Sequence, residues 1–207
     1  MSMPIEAGLD ESSLEAAPFA LFGRWLLEAE RAALPEFNAM TLATASIDGR
    51  PSARMVLLRG FDERGFAFYT NYLSRKGGEL AVNPFASLVF FWAPPQRQIR
   101  VEGSVVKVAA TESDAYFASR PKGHQLGALV SPQSQVVKDR AQLEQRMEEL
   151  RKKYQEAESV PRPEHWGGYR VEPNTIEFWQ GRENRLHDRI RYTRLAGDRW
   201  NRQRLAP

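Results

Sequence analysis

The chain contains no cysteine. Disulfides and thiolate metal sites are therefore excluded, and a reducing compartment, the cytoplasm, is the expectation. No apolar run approaches the roughly 20 residues that a membrane-crossing helix needs, so no membrane is expected as a partner. The opening MSMPIEAGLDESS has neither the basic segment nor the apolar segment of a secretory signal. Histidine is scarce: His124, His165 and His187 are the whole set, and no two stand at the i, i+4 spacing of a helical metal site. A metal centre is not expected. A Gly-x-Ser-x-Gly elbow, a Walker loop and a dinucleotide-binding Gly-x-Gly-x-x-Gly are also missing. Hydrolase, NTPase and Rossmann dehydrogenase readings lose their usual support.

What is present suits one globular domain with a real core: 207 residues, 42% hydrophobic and 27% charged. Residues 1–16 read as a flexible N-terminus and 17–207 as the domain. The net charge is +3, and acidic residues are interspersed with the basic ones in most segments. Nucleic acid, which needs cations clustered on one face, is not expected as a partner.

Residues 17–34 place Phe19, Phe22, Leu26 and Ala33 near helical spacing. Residues 39–71 form β-rich runs broken at Asp48-Gly49 and again from Asp62 to Gly65, which reads as a meander with hairpin turns. Within it, Arg54 and Arg59 bracket four apolar residues on an interior strand. Ser74 is placed to cap a short helix. FASLVFFWAP and RQIRVEGSVVKVAA read as strands, and Thr111 with Asp114 resembles a capping box. Residues 116–137 look like a polar, turn-rich loop. From 138 to 158, Leu143, Met147, Leu150 and Tyr154 give a solvated helix one apolar stripe. WGGYRVEPNTIEFWQ and DRWNRQRLAP return the chain to strands. The order favours a mainly β protein, an antiparallel barrel with peripheral helices, over a βαβ sheet.

Three stretches carry candidate chemistry. Ser74, Arg75 and Lys76 stand where a strand passes into a helix, and a hydroxyl, two cations and helix amides suit a phosphate. A capped helix with two solvated cations is the plain alternative. The 116–137 segment is dense in donors: Tyr116, Arg120, Lys122, His124, Gln133 and Ser134. Most such loops only cover a core. If FWQGRENRLHDRIRY is extended, Arg185, His187, Arg189 and Arg191 share one face, where like charges repel. Anionic ligands would account for that gathering.

The blocks RMVLLRGFDERGFAFYTNYLSRKGGEL, RQIRVEG, SDAYFASRP, SPQSQV, PRPEHWGGYRV, IEFWQG and RLHDRIRY, closing on RLAP, resemble in order the pyridoxamine/pyridoxine 5′-phosphate oxidase family. The resemblance implies a homodimeric split β-barrel of the FMN-binding type, with FMN at the subunit interface. It implies that Arg54, Met55, Val56, Leu57, Arg59, Tyr69 and Thr70 line the flavin, and that Ser74, Arg75 and Lys76 hold its phosphate. Gln98, Gln133, Ser134, Trp179 and Arg189 would complete the flavin site, several from the partner subunit. Arg59, Tyr116, Arg120 and His124 would take the substrate phosphate, with Arg185 and His187 as catalytic residues at the carbon oxidised. The reaction implied is hydride transfer from pyridoxine or pyridoxamine 5′-phosphate to flavin. Pyridoxal 5′-phosphate is the product, and O2 reoxidises the flavin to give H2O2. Arg59 stands where the family has lysine, His124 where it has serine, and Glu36 where it has aspartate; an N-terminal lid is expected to be missing. Two other readings remain: a sister flavin oxidase of the phenazine-biosynthesis type, or a flavin- or pyridoxal-phosphate-binding module without turnover.

Overall fold

The computed structural model describes residues 8–207. Nine strands form one sheet: β1 (Ala39–Ala45), β2 (Pro51–Leu57), β3 (Gly60–Asp62), β4 (Gly65–Asn71), β5 (Phe85–Trp92), β6 (Arg97–Lys107), β7 (Trp166–Gln180), β8 (Asp188–Arg194) and β9 (Trp200–Arg204). Every ladder is antiparallel. The order β2-β1-β5-β6-β7-β4-β3 begins at a strand ending in Leu57 and finishes at one starting with Gly60. Leu58 still donates to Asn38 on the β1 side, while Arg59 already donates to Ala67 of β4. One step of chain thus links the two ends of the sheet order, with no ladder between β2 and β3 or β4.

The sheet splits along β7. Its first residues, Trp166–Val171, pair with β4, and its last, Thr175–Gln180, pair with β8. β6 spans both halves, with a register shift at Glu102/Gly103. This is a split β-barrel, and β8 with β9 form its outer flap.

Helix α1 (Pro18–Arg31) plugs the barrel. Leu21, Phe22, Trp25 and Ala29 fall on its buried face, the spacing of an amphipathic helix. Phe22 meets Phe61, Phe66 and Phe90 edge-on at 4.7, 4.8 and 5.2 Å between centroids. Removing a buried phenylalanine of this kind costs about 3–5 kcal/mol. The β3–β4 turn needs Gly65, whose φ is +136° and whose added Cβ would lie 2.0 Å from the Val171 carbonyl.

The remaining helices are α2 (Arg75–Val82), α3 (Ala110–Ser119), α4 (Lys122–Val130) and α5 (Arg140–Lys153). α4 replaces part of the loop expected over 116–137. Its two glycines weaken the local signal, but Leu126 is buried in a second small core with Phe117, Val160 and Trp166, and Ala128 and Leu129 pack against it. Met147, Leu150 and Tyr154 of α5 pack on that core, so the expected stripe is present.

Other expectations are corrected. Residues 39–71 give two hairpins at opposite ends of the sheet order, not one meander. β2 is not interior: its only ladder is with β1, and Met55 is 62% exposed. Thr111 lies inside α3, which Ala109 opens without a side-chain cap. Arg185 and His187 precede β8, so only Arg189 and Arg191 of that charged run share a strand face. Of the N-terminal residues expected to be flexible, Leu9 is buried in the core, and Arg204 reaches Glu11 at 2.6 Å. The rest of that expectation, residues 1–7, lies outside the described residues.

Candidate functional site

A cleft of about 820 Å³ lies between the end of β2, β4 and the helices α3 and α4. Met55, Val56, Leu57 and Arg59 form one wall, and Tyr69 and Thr70 the floor. Lys76 enters from α2, Tyr116 and Arg120 from α3, His124 from α4 and Gln133 from the following loop. A smaller cavity of about 300 Å³, lined by Trp25, Trp92 and Arg97, lies elsewhere and holds none of the predicted residues.

Two cationic loci meet this cleft. The first is the opening turn of α2. Ser74 caps it, accepting from the Gly77 amide, and a Cβ at Gly77 would stand 2.1 Å from the Tyr72 carbonyl. Glycine therefore lets the helix start pressed against the preceding turn. Buried Lys76 donates to Thr70 Oγ1 at 2.9 Å, Ser74 Oγ at 3.0 Å and Gln133 Oε1 at 2.9 Å. All three acceptors are neutral. Burial, with the charge of Arg54, pulls the Lys76 ammonium down to about 8.

The second locus is an aromatic ladder. Tyr69 and Tyr116 stack at 3.9 Å, and Trp166 lies parallel to them at 5.6 and 6.2 Å. Arg59 sits over Tyr116 and Arg120 over Trp166. Neither guanidinium makes an ion pair or a side-chain hydrogen bond among the described residues, and Arg120 Nη1 is buried without a partner. Burial pushes the Arg120 guanidinium down, and nearby Arg59 pushes the same way against Tyr116. Two cations that repel and lack counter-charges suit a multiply charged anion. Burial, reinforced by Glu112, pushes the Tyr69 phenol up to about 12, so it stays neutral.

Arg54, Ser74, Arg75 and Ser134 do not line the cleft wall. Glu79 instead gathers Arg54 at 3.4 Å and Arg75 at 2.9 Å behind α2. Burial pushes the Glu79 carboxyl up, yet hydrogen bonds from Ser52, Thr44 and Arg75 outweigh it and hold it at about 2. Ser134 adopts φ +72° beside Gln133. Glu36 is exposed in the turn after α1. A separate cluster holds the rest. Gln98, Trp179 and Arg189 face one another across β6, β7 and β8. His187 packs on Trp179 at 4.7 Å, and Arg185 sits in a turn with φ +61°. Arg189 is tied to buried Glu177 at 2.8 Å. Trp166, a cleft residue, was not singled out from the sequence, although it lies in the PRPEHWGGYRV block.

Among the described residues no helix is long and apolar enough to cross a membrane, and no cluster of His, Asp or Glu could hold a metal.

An antiparallel split barrel carrying a cleft with two cationic loci defines the class of this protein. Two family models match it: "Pyridoxamine 5′-phosphate oxidase" over residues 26–154 and "Pyridoxine 5′-phosphate oxidase C-terminal dimerisation region" over residues 166–207. Proteins named pyridoxine/pyridoxamine 5′-phosphate oxidase from Acaryochloris marina and Synechocystis sp. are each 57% identical. Both alignments cover 98% of this chain, and 91% and 94% of those relatives respectively. PhzG from Burkholderia lata, solved in complex with tetrahydrophenazine-1-carboxylic acid, superposes with TM-score 0.91 at 34% identity, covering 98% of this chain and 99% of that one. The chain belongs to the pyridoxamine 5′-phosphate oxidase family.

Proposed function

We propose that the protein is a cytoplasmic FMN-dependent oxidase that converts pyridoxine 5′-phosphate and pyridoxamine 5′-phosphate to pyridoxal 5′-phosphate, with O2 as acceptor and H2O2 as by-product. The observation that carries this reading is the pair of separate cationic loci in one cleft, Lys76 at the start of α2 and Arg59 with Arg120 on the ladder. One phosphate belongs to the cofactor and the other to the substrate.

The donor set fits FMN. Lys76 presents a charge held only by neutral acceptors, at a helix start where amide dipoles favour an anion. Arg75, anchored through Nε to Glu79, keeps its two Nη atoms free of partners among the described residues. Met55, Val56 and Leu57 offer a strand edge to the ring system, with Thr70 and Gln133 beside it. Bound FMN would supply the hydride acceptor and the route to O2. The chain's own part is to bind and orient. Arg59 and Arg120 take the substrate phosphate, Tyr116 packs beside it, and His124 adds a donor at the rim. Each charge-assisted contact contributes about 1.5–3 kcal/mol.

Gln98, Trp179, Arg185, His187 and Arg189 stand apart from this cleft within one chain. A homodimer with shared sites supplies them from the second copy. Support comes from the dimerisation-region match and from the sheet face that carries them, where Phe91, paired with Gln98, is 60% exposed. In that arrangement Arg185 and His187 face the substrate carbon, and Arg189 faces the flavin.

The 34% identity to PhzG keeps a phenazine-type oxidase in view, while relatives at 57% favour the B6 substrate. The test is to purify the protein with FMN and follow pyridoxal 5′-phosphate and peroxide in air from each phosphorylated vitamer. Stoichiometric product and peroxide support the reading. Peroxide from a phenazine precursor alone, or a yellow protein inert to both vitamers, rejects it.

A further inference from the structure

The arginines of the predicted site and its surroundings are held in two ways. Arg54 and Arg75 pair with Glu79, Arg170 with Asp62 and Glu112, and Arg189 with Glu177. Each of these guanidiniums is fixed by a carboxylate that would compete with an incoming anion. Arg120 is fixed differently. Its guanidinium carbon lies 4.6 Å from the Trp166 ring centroid and 5.6 Å from that of Phe117. An aromatic face attracts a cation through its quadrupole and brings no formal negative charge. The donors of Arg120 are thereby oriented and left unspent, as the buried, unpartnered Nη1 shows.

Trp166 is itself immobilised. It is 6% exposed, opens β7 opposite Asn71, and meets Phe117 edge-on at 5.1 Å. Its amide donates to the Pro163 carbonyl at 3.0 Å, and its own carbonyl accepts from Arg162 Nη1 at 2.7 Å. The ring is a fixed platform belonging to the barrel, whereas Arg120 caps the C-terminal end of α3. Their contact sets the position of a helix-borne cation against the sheet.

We propose that Trp166 is a positioning residue for phosphate recognition, holding the Arg120 guanidinium against the cleft in place of a carboxylate. This rests on reading the cleft as the site of a phosphorylated substrate, and it adds a role for a residue outside the anion-binding set. Because Trp166 acts through Arg120, its effect should depend on the phosphate and vanish when Arg120 is gone.

The experiment measures dissociation constants of pyridoxal 5′-phosphate and of unphosphorylated pyridoxal on the FMN-loaded protein. The proteins compared are wild type, W166F, W166L, R120M and the two double variants. W166L should weaken pyridoxal 5′-phosphate about tenfold or more, and W166F, which keeps a smaller ring, only about threefold. Pyridoxal and FMN affinities should move less than about twofold in either variant. In the R120M background neither Trp166 substitution should weaken pyridoxal 5′-phosphate further. If W166L does not fold, W166F alone closes the cycle. Equal losses with and without Arg120, or equal losses for both ligands, would overturn the proposal. A wild-type protein that binds pyridoxal as tightly as its phosphate would overturn the functional reading instead.

Discussion

Lys76 holds its ammonium 2.9 Å from the Gln133 side-chain oxygen, tying the first turn of α2 to the loop that follows α4. The contact joins two cleft walls that are far apart in sequence, and it leaves a buried cation with no carboxylate. Its pKa near 8 lies below the ordinary value of 10.5. Between those values the unfolded chain binds more protons than the folded one, so the ligand-free protein should gain stability as pH rises from about 8 to 10.5.

A bound phosphate reverses the preference. It favours the ammonium, so FMN binding should take up a proton above pH 8, and FMN affinity should fall as pH rises from 8 to 9.5. Flavin fluorescence titrations across that range give the slope directly. Lys76→Met should bind FMN at least about tenfold more weakly and show no such slope. A flat wild-type profile would place the phosphate elsewhere.

Arg120 offers a test in which stability and recognition separate. Its Nη1 is a buried donor without a partner, and leaving such a group unpaired costs about 1–3 kcal/mol. Arg120→Met keeps a flexible apolar stem for the Trp166 face. The melting temperature of the ligand-free protein should not fall, while the KM for pyridoxine 5′-phosphate rises at least about tenfold. A fall in melting temperature with unchanged KM would make Arg120 a structural residue.

Much of the architecture was legible because β-rich runs broken at turn residues mark strands, and burial does alternate with period 2 along β1, β5 and β6. What stayed hidden depends on partners distant in sequence. α4 has two glycines and a weak local preference, and it forms because Leu126, with Leu129 against it, finds Phe117 and Trp166. The separation of the 39–71 hairpins follows from β5, β6 and β7 entering between them. In the site, Lys76, Tyr69 and Arg120 could be named from ordered blocks. Trp166 could not, since a tryptophan at a strand start looks like core until Arg120 is seen above it.

Assembly should be readable at Phe91. The residue is 60% exposed, lies outside the cleft lining and pairs with Gln98, whose other neighbour is Trp179. A glutamate there would bury an unpaired charge in the proposed interface, which is costly. Phe91→Glu should sediment as a monomer at low micromolar concentration and lose FMN on gel filtration, with a folded circular dichroism spectrum. A dimeric, FMN-loaded variant would remove this face from the interface.

The charged run from Arg185 to Arg191 divides by geometry. Arg189 is locked to Glu177 on a strand, whereas Arg185 sits in a turn at φ +61°, directly after Asn184 at +53°. Asparagine tolerates that left-handed region, so Arg185→Asn removes the guanidinium without straining the turn. Its melting temperature and FMN affinity should match wild type. If Arg185 reaches the substrate of the second copy, anaerobic reduction of the bound flavin by pyridoxine 5′-phosphate should slow at least about tenfold. Arg189→Leu should behave otherwise, because it leaves the buried Glu177 carboxylate only its longer, 3.5 Å contact with Arg100: stability and FMN retention should drop together. Single-turnover stopped flow on FMN-saturated protein separates the two. Wild-type flavin reduction in Arg185→Asn would end the catalytic assignment, whatever the steady-state rate.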